Sequence, residues 1–239
     1  MNIICLLSVR PCIKTYNFLK SIKKNTKYDV YIVIDDNNYN IPNYDGIIKI
    51  IKINNKECEI NGYKSTVLWL NNKACSRDKA LYYFTKNSID YNYIWFIEED
   101  VFIPNIYTIQ NIDKKYESNH YDLLVKEHYI INEKKTDWHW KHVNRQIKIN
   151  PPYACSMISA VRCSKVMLNI IKDYAKTYNN LFLDEVLFNT LAMQNNLQIL
   201  CIEELSTIHW RTVWKVTDIV NTKLYHPIKN INIQYSYRK

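Results

Sequence analysis

The chain has 239 residues and carries 32 basic against 23 acidic side chains, a formal net charge of +9. Its apolar share of 47% is that of a protein with a buried core and excludes a disordered chain. Glycine occurs only at Gly46 and Gly62, which excludes a P-loop and a Gly-rich dinucleotide fingerprint, so phosphate would have to be met by side chains, helix N-termini or a metal.

Residues 3–9 (IICLLSV) form a short apolar run stopped by Arg10-Pro11, the pattern of a buried strand. Phe18, Leu19 and Ile22 share one face of a helix predicted over 14–24. A second buried strand is predicted over 29–34 and ends in Asp35-Asp36, and a third over 47–53. Ser76 is the expected N-cap of a helix that buries Ala80, Leu81 and Phe84. A fourth strand, 93–97 (YIWFI), runs directly into Glu98-Glu99-Asp100. Alternation of strands and helices predicts a mostly parallel α/β sheet, with ligands outside the carboxyl ends of its strands, where both acidic clusters fall.

The second half is less regular. Residues 121–131 and 153–161 are expected to be strands, and 132–150, containing Trp138 and Trp140, a long polar surface loop. Ser164 is placed as the cap of a helix turning Met167, Ile170, Ile171 and Tyr174 inward, and Asp184 as the opening of another that buries Leu187, Phe188 and Leu191. A last strand, 197–202, precedes a loop holding His209. No repeat or linker interrupts the chain, so one domain spanning 1–239 is expected.

Ile, Asn, Lys and Tyr number 34, 29, 26 and 20, together 109 of the 239 residues. All four have A/T-rich codons, so the bias fits an A/T-rich genome such as that of a giant DNA virus, and it discounts the +9 as a signal. The cations are scattered, without the basic block or stripe of a nucleic-acid binder. Seven cysteines stand at 5, 12, 58, 75, 155, 163 and 201 without a CxxC pair, which argues against zinc and for reduced thiols. The N-terminal apolar run is too short for a signal peptide and no stretch is long enough to span a membrane; a cytoplasmic protein is expected, in host cytoplasm or virion if the source is viral.

Three constellations carry chemistry. Glu98 and Asp100 are two apart on an extended segment, point the same way, and form an oxygen pair suited to a hard divalent cation, although an acidic turn after a strand would look the same. Asp184-Glu185 suits a helix N-terminus electrostatically and also offers a general base. If Asp184 is the cap its pKa is lowered, and the base role passes to Glu185. His209 or His226 could complete an O,O,N metal site; His209, directly after a strand, is the preferred one.

Taken in order, these pieces resemble a GT-A glycosyltransferase, the nucleotide-diphospho-sugar transferase fold. The motifs are a second strand ending in Asp35-Asp36, CSRDKALYYF with Arg77, YIWFIEEDVFIP with Glu98-x-Asp100 before Pro104, LDEVLFN, and TIHWR. The first motif residue is Glu where the family more often has Asp, and the acidic pair is Asp-Glu where the family usually has Glu-Asp. The resemblance implies a Rossmann-like mixed sheet, with a nucleotide-sugar-binding half (1–104) and an acceptor-binding half (105–239). It also implies metal-dependent transfer of a sugar from a UDP- or GDP-sugar to the hydroxyl of a glycan or protein acceptor, with Mn2+ or Mg2+ as cofactor. Asp100, Glu98 and His209 or His226 would hold the ion. Ser8, Arg10, Asp35, Asp36, Arg77, Glu98, Glu99 and Lys229 would face the donor. Asp184 or Glu185 would be the base, and Trp138 and Trp140 an acceptor platform. The alternatives are a sugar-nucleotide nucleotidyltransferase, disfavoured because IICLLSVRPCIKT lacks glycine, and a non-enzymatic basic protein that binds nucleic acid.

Overall fold

The computed structural model describes residues 1–65, 73–131 and 146–238. Its centre is a seven-stranded sheet. In chain order the strands and helices are β1 (Asn2–Ser8), α1 (Ile13–Asn25), β2 (Asp29–Ile34), β3 (Lys49–Lys52), α2 (Asn55–Ile60), α3 (Ser76–Lys86), β4 (Tyr93–Glu98) and α4 (Thr108–Lys115). There follow β5 (Leu123–Val125), β6 (Tyr129–Ile131), β7 (Tyr153–Cys155), β8 (Ala160–Ser164), α5 (Lys165–Tyr178), α6 (Asp184–Gln194), β9 (Ile199–Cys201) and α7 (Ile231–Tyr237). The strands lie in the order β3-β2-β1-β4-β8-β5-β9. Pairing is parallel from β3 to β4 and between β5 and β9, and antiparallel on both sides of β8. This is the mixed, mostly parallel sheet that the strand and helix alternation predicts.

Side-chain alternation along the central strands feeds two cores. Ile3, Cys5, Leu7, Ile94 and Phe96 join one apolar cluster with α3, α5 and α6, whereas Ile4, Leu6, Trp95 and Ile97 join the other with α1 and α4. Both faces are covered, so these strands read as continuous apolar runs. Register then sets the site. Leu7 pairs with Glu98 and Ser8 with Ile34, which aligns Ser8, Asp35 and Glu98 along one carboxyl edge.

Three local expectations are corrected. Cys75, not Ser76, is the N-cap of α3, because Asp78 in the first turn reaches back to accept the Cys75 N–H at 3.0 Å. The strand expected over 153–161 divides into β7 and β8. Residues 156–159 between them leave the ladder and bond instead to Glu185, Glu127, Arg77 and Glu98. The stretch 121–131 likewise divides, β6 pairing with β7 in a separate two-stranded ladder. Ser164 caps α5 as expected, its side chain accepting the Met167 N–H.

Gly62 has φ +81°, and a Cβ there would lie 2.6 Å from the Ala175 carbonyl oxygen. Backbone opposes backbone, so neither side can yield. Gly62→Ala is expected to cost about 2 kcal/mol or more, read from the denaturation midpoint; an unchanged midpoint would contradict the close approach of α2 to α5.

Candidate functional site

The edge formed by β1, β2 and β4 carries the acidic residues. Glu98 closes β4, its N–H bonding the Ser159 carbonyl at 2.9 Å. The chain turns at once, Val101 N–H bonding the Glu98 carbonyl at 3.0 Å, so Asp100 stands on the turn rather than on an extended strand. The Glu99 N–H bonds the Leu7 carbonyl, and the Glu99 carboxylate accepts the buried Ser8 hydroxyl.

The C-terminal segment reaches this turn from below. Phe102 and Tyr225 exchange backbone hydrogen bonds of 2.7 and 3.1 Å, and the Ile228 N–H donates to the Asp100 carbonyl at 2.8 Å. His226 is thereby carried onto the carboxylates, its Nε2 3.4 Å from Asp100 Oδ1 and 4.0 Å from Glu98 Oε2. Glu98, Asp100 and His226 present ligand atoms that all lie within 4.8 Å of one another.

The preference for His209 is not what the geometry brings together. The His209 ring packs against Trp214 at 5.6 Å, and its backbone serves His226 instead. His226 Nδ1 lies 2.6 Å from the His209 carbonyl oxygen, which can only accept, so Nδ1 carries the proton. With Nδ1 protonated, the Nε2 of a neutral His226 turns a lone pair toward two carboxylates. That arrangement demands a cation or a second ring proton. Burial would lower the His226 pKa, but hydrogen bonding to Asp100, its charge and the His209 carbonyl outweigh burial and raise it. Two hard oxygens and an imidazole nitrogen fixed through its other nitrogen are a donor set that fits Mn2+ or Mg2+.

Arg77 joins the carboxylates to the acidic pair of α6. Its buried guanidinium donates to Glu98 Oε1 at 2.8 Å and to the Ile158 carbonyl at 2.9 Å, and its Nε stands 2.8 Å from Asp184 Oδ2. Glu98 thus divides its oxygens, one to Arg77 and one toward His226. Arg77 thus bridges Glu98 and Asp184, while its buried Nη1 has no hydrogen-bond partner among the described residues.

The α6 N-terminus departs from expectation. Leu183 is the N-cap and Asp184 is the first helical residue, its Oδ1 accepting the Glu185 N–H at 3.0 Å. The lowered pKa expected of a capping Asp184 is overturned, because burial raises it against the opposing pull of Arg77. Glu185 is pushed up to about 8 by burial first, then by the Asp184 and Glu98 charges. Among the described residues no cation pairs directly with Glu185.

At the end of β2 the Asp35 N–H bonds the Ser8 carbonyl. Burial raises the Asp35 pKa, with Lys79 opposing. Asp36 accepts the Asn38 N–H at 2.8 Å and pairs with the exposed Arg10 at 2.6 Å; these two bonds lower its pKa. Lys229 is exposed, directly after Ile228. Trp138 and Trp140, expected as the acceptor platform, lie outside the described residues.

Several residues of the site escaped the sequence reading. Lys79 is fully buried, and its ammonium donates to the Ile34 and Asp35 carbonyls and to Asn37 Oδ1 at 2.9 Å, fixing the turn after β2. Gln234 of α7 donates to the Glu99 and Ile228 carbonyls at 2.9 and 2.8 Å, tying the C-terminal segment to the acidic turn. Residues 156–159 form a hub. The Ser156 N–H bonds the Glu185 carbonyl and the Met157 N–H bonds Glu127 Oε1, while Ile158 and Ser159 serve Arg77 and Glu98. Their one sequence signal was the polar residues inside an apolar stretch.

Two solved structures of the galactosyltransferase LgtC share this fold. The one in complex with donor and acceptor sugar analogs is 8% identical, with a TM-score of 0.50 over 100% of this chain and 95% of that one. An active-site mutant of LgtC is 9% identical, with a TM-score of 0.50 over 99% and 95%. Mouse xyloside xylosyltransferase 1 in its apo form is 11% identical over 97% and 99%, with a TM-score of 0.45. No family model matches the sequence, and no curated protein matches it. At these identities the likeness is one of fold, and the fold is GT-A.

Proposed function

We propose that this chain is a metal-dependent glycosyltransferase that moves a sugar from a nucleotide-diphospho-sugar to an acceptor hydroxyl. The observation that carries the reading is the meeting of Glu98, Asp100 and His226 at the carboxyl edge of the sheet, joined through Arg77 to Asp184 beside Glu185. Asp100, Glu98 and His226 would hold a divalent cation, which when bound offsets the charge that builds on the departing nucleoside diphosphate. Asp35 and Asp36 would bind the nucleoside, with Ser8, Arg10 and Glu99 shaping the floor beneath it. Lys229 would reach the diphosphate from the C-terminal segment. Arg77 would orient Glu98 and Asp184, and Glu185 would take the acceptor proton.

A thermal-shift panel of UDP-, GDP- and CMP-sugars with and without Mn2+ tests the reading. One nucleotide-sugar together with Mn2+ should raise Tm by about 5 °C or more at saturation. The Mn2+-dependent part should vanish in His226→Ala and survive in His209→Ala, since the His209 carbonyl that holds His226 is backbone and remains. A full shift in EDTA would remove the metal. Loss in His209→Ala with retention in His226→Ala would reverse the ligand assignment.

A further inference from the structure

Between His209 and Tyr225 the chain runs as an irregular segment whose two sides differ. Its inner side is fixed. The Trp214 indole N–H donates to the His226 carbonyl at 3.1 Å, the Tyr237 hydroxyl donates to the Trp214 carbonyl at 3.1 Å, and the Val220 N–H donates to the Tyr225 hydroxyl at 2.8 Å. Trp214 and Ile219 pack onto a small cluster with Phe102 and Tyr225. Its outer side exposes four apolar side chains, Trp210 (68%), Val213 (90%), Val216 (56%) and Val220 (49%), alongside Arg211, Lys215, Thr217 and Asp218.

Single exposed apolar residues need no explanation, but four within eleven residues on a firmly held segment do. Arg211 and Lys215 are interleaved among them and exposed, the Arg211 guanidinium 6.0 Å from the Trp210 ring. Asp218 is the one acid in the stretch, and it accepts the Lys215 N–H at 2.8 Å. An indole, aliphatic side chains and cations that form no salt bridge among the described residues suit the boundary of an anionic bilayer. There Trp sits at headgroup depth, Val enters the acyl edge, and Arg and Lys meet lipid phosphates. The overall charge of +9 adds long-range attraction to such a surface.

We propose that residues 210–220 seat the protein peripherally on anionic lipid membranes. No helix among the described residues is long and apolar enough to cross a bilayer, so attachment through this segment would be at the surface. Because Trp214 holds His226 from the same segment, seating it brings the carboxyl edge of the sheet close to the lipid.

Co-sedimentation of the full chain with phosphatidylcholine vesicles, with and without phosphatidylglycerol, tests this without reference to catalysis. Sedimentation with the anionic vesicles is expected, weakening as salt is raised. The double variant Val213→Asp, Val216→Asp should lose about tenfold or more of the partitioning, and Arg211→Glu with Lys215→Glu should abolish the preference for phosphatidylglycerol. All four positions are exposed, so unchanged melting of the variants is expected and is measured alongside. Wild-type protein left in the supernatant with both vesicle types overturns the proposal, as does a double variant that sediments like wild type. A dimer in solution that Val213→Asp dissolves, without vesicle binding, makes the patch a contact between copies and also overturns it.

Discussion

Asp100→Ala is expected to lower sugar transfer by about 10²–10³-fold or more, the scale seen when one preorganised electrostatic group is lost, with little change in melting. The asymmetry follows from what each part of Asp100 does. Its backbone carbonyl accepts the Ile228 N–H and holds the C-terminal segment in place, and alanine keeps that bond. Its carboxylate faces His226 Nε2 at 3.4 Å and is partly open to solvent, so removing it strips the candidate ion site without opening the core. Glu98→Gln is a poorer probe, because it also weakens the partner of the buried Arg77 and confounds folding with chemistry. EDTA should reproduce the Asp100→Ala loss in the wild type and add nothing in the variant. Full turnover in EDTA, or in Asp100→Ala, would sink the metal assignment.

The central sheet was legible because strands buried on both faces must be apolar throughout, and YIWFI, DVYIVI and IICLLSV can do little else. The acidic residues at their ends stood out for the same reason, since charge abuts a buried run. What could not be read was anything set by tertiary contact. His226 was passed over for His209 because nearness to a strand counted in its favour. The two residues in fact meet at a parallel bridge between Ile208 and His226, where the His209 N–H donates to the His226 carbonyl and, beside it, the His226 Nδ1 donates to the His209 carbonyl. Asp184 looked like a cap by residue type, yet Leu183 holds the cap position, and Asp184 divides its carboxylate between the Glu185 N–H and Arg77, more than a hundred positions earlier. Lys79 carried no signal, because a lysine on a helix is ordinarily solvated. Only the three oxygens converging on its ammonium explain its burial.

Glu185→Gln is expected to slow transfer by about two to four orders of magnitude, the span of a lost general base, with donor binding retained. Burial and two neighbouring anions push the Glu185 carboxyl up to about 8, near the pH at which a base both exists as an anion and has an appetite for a proton. Below about 8 the folded-state carboxyl is increasingly protonated and inert, so the rate should climb with pH toward 8 and level above it, and the climb should vanish in Glu185→Gln. Asp184 behaves differently. Its carboxylate is held 2.8 Å from Arg77, whose charge opposes the rise in pKa that burial imposes, whereas no cation among the described residues pairs directly with Glu185. Asp184→Asn removes one of two counter-charges from a buried guanidinium, so it should cost on the order of 2–3 kcal/mol of stability, more than a lost cap would. Turnover across pH for both variants, with denaturation in parallel, separates the roles. If Asp184→Asn abolishes turnover at unchanged stability while Glu185→Gln keeps the pH climb, Asp184 is the base. If neither slows transfer, the pair serves only to hold Arg77 and the start of α6.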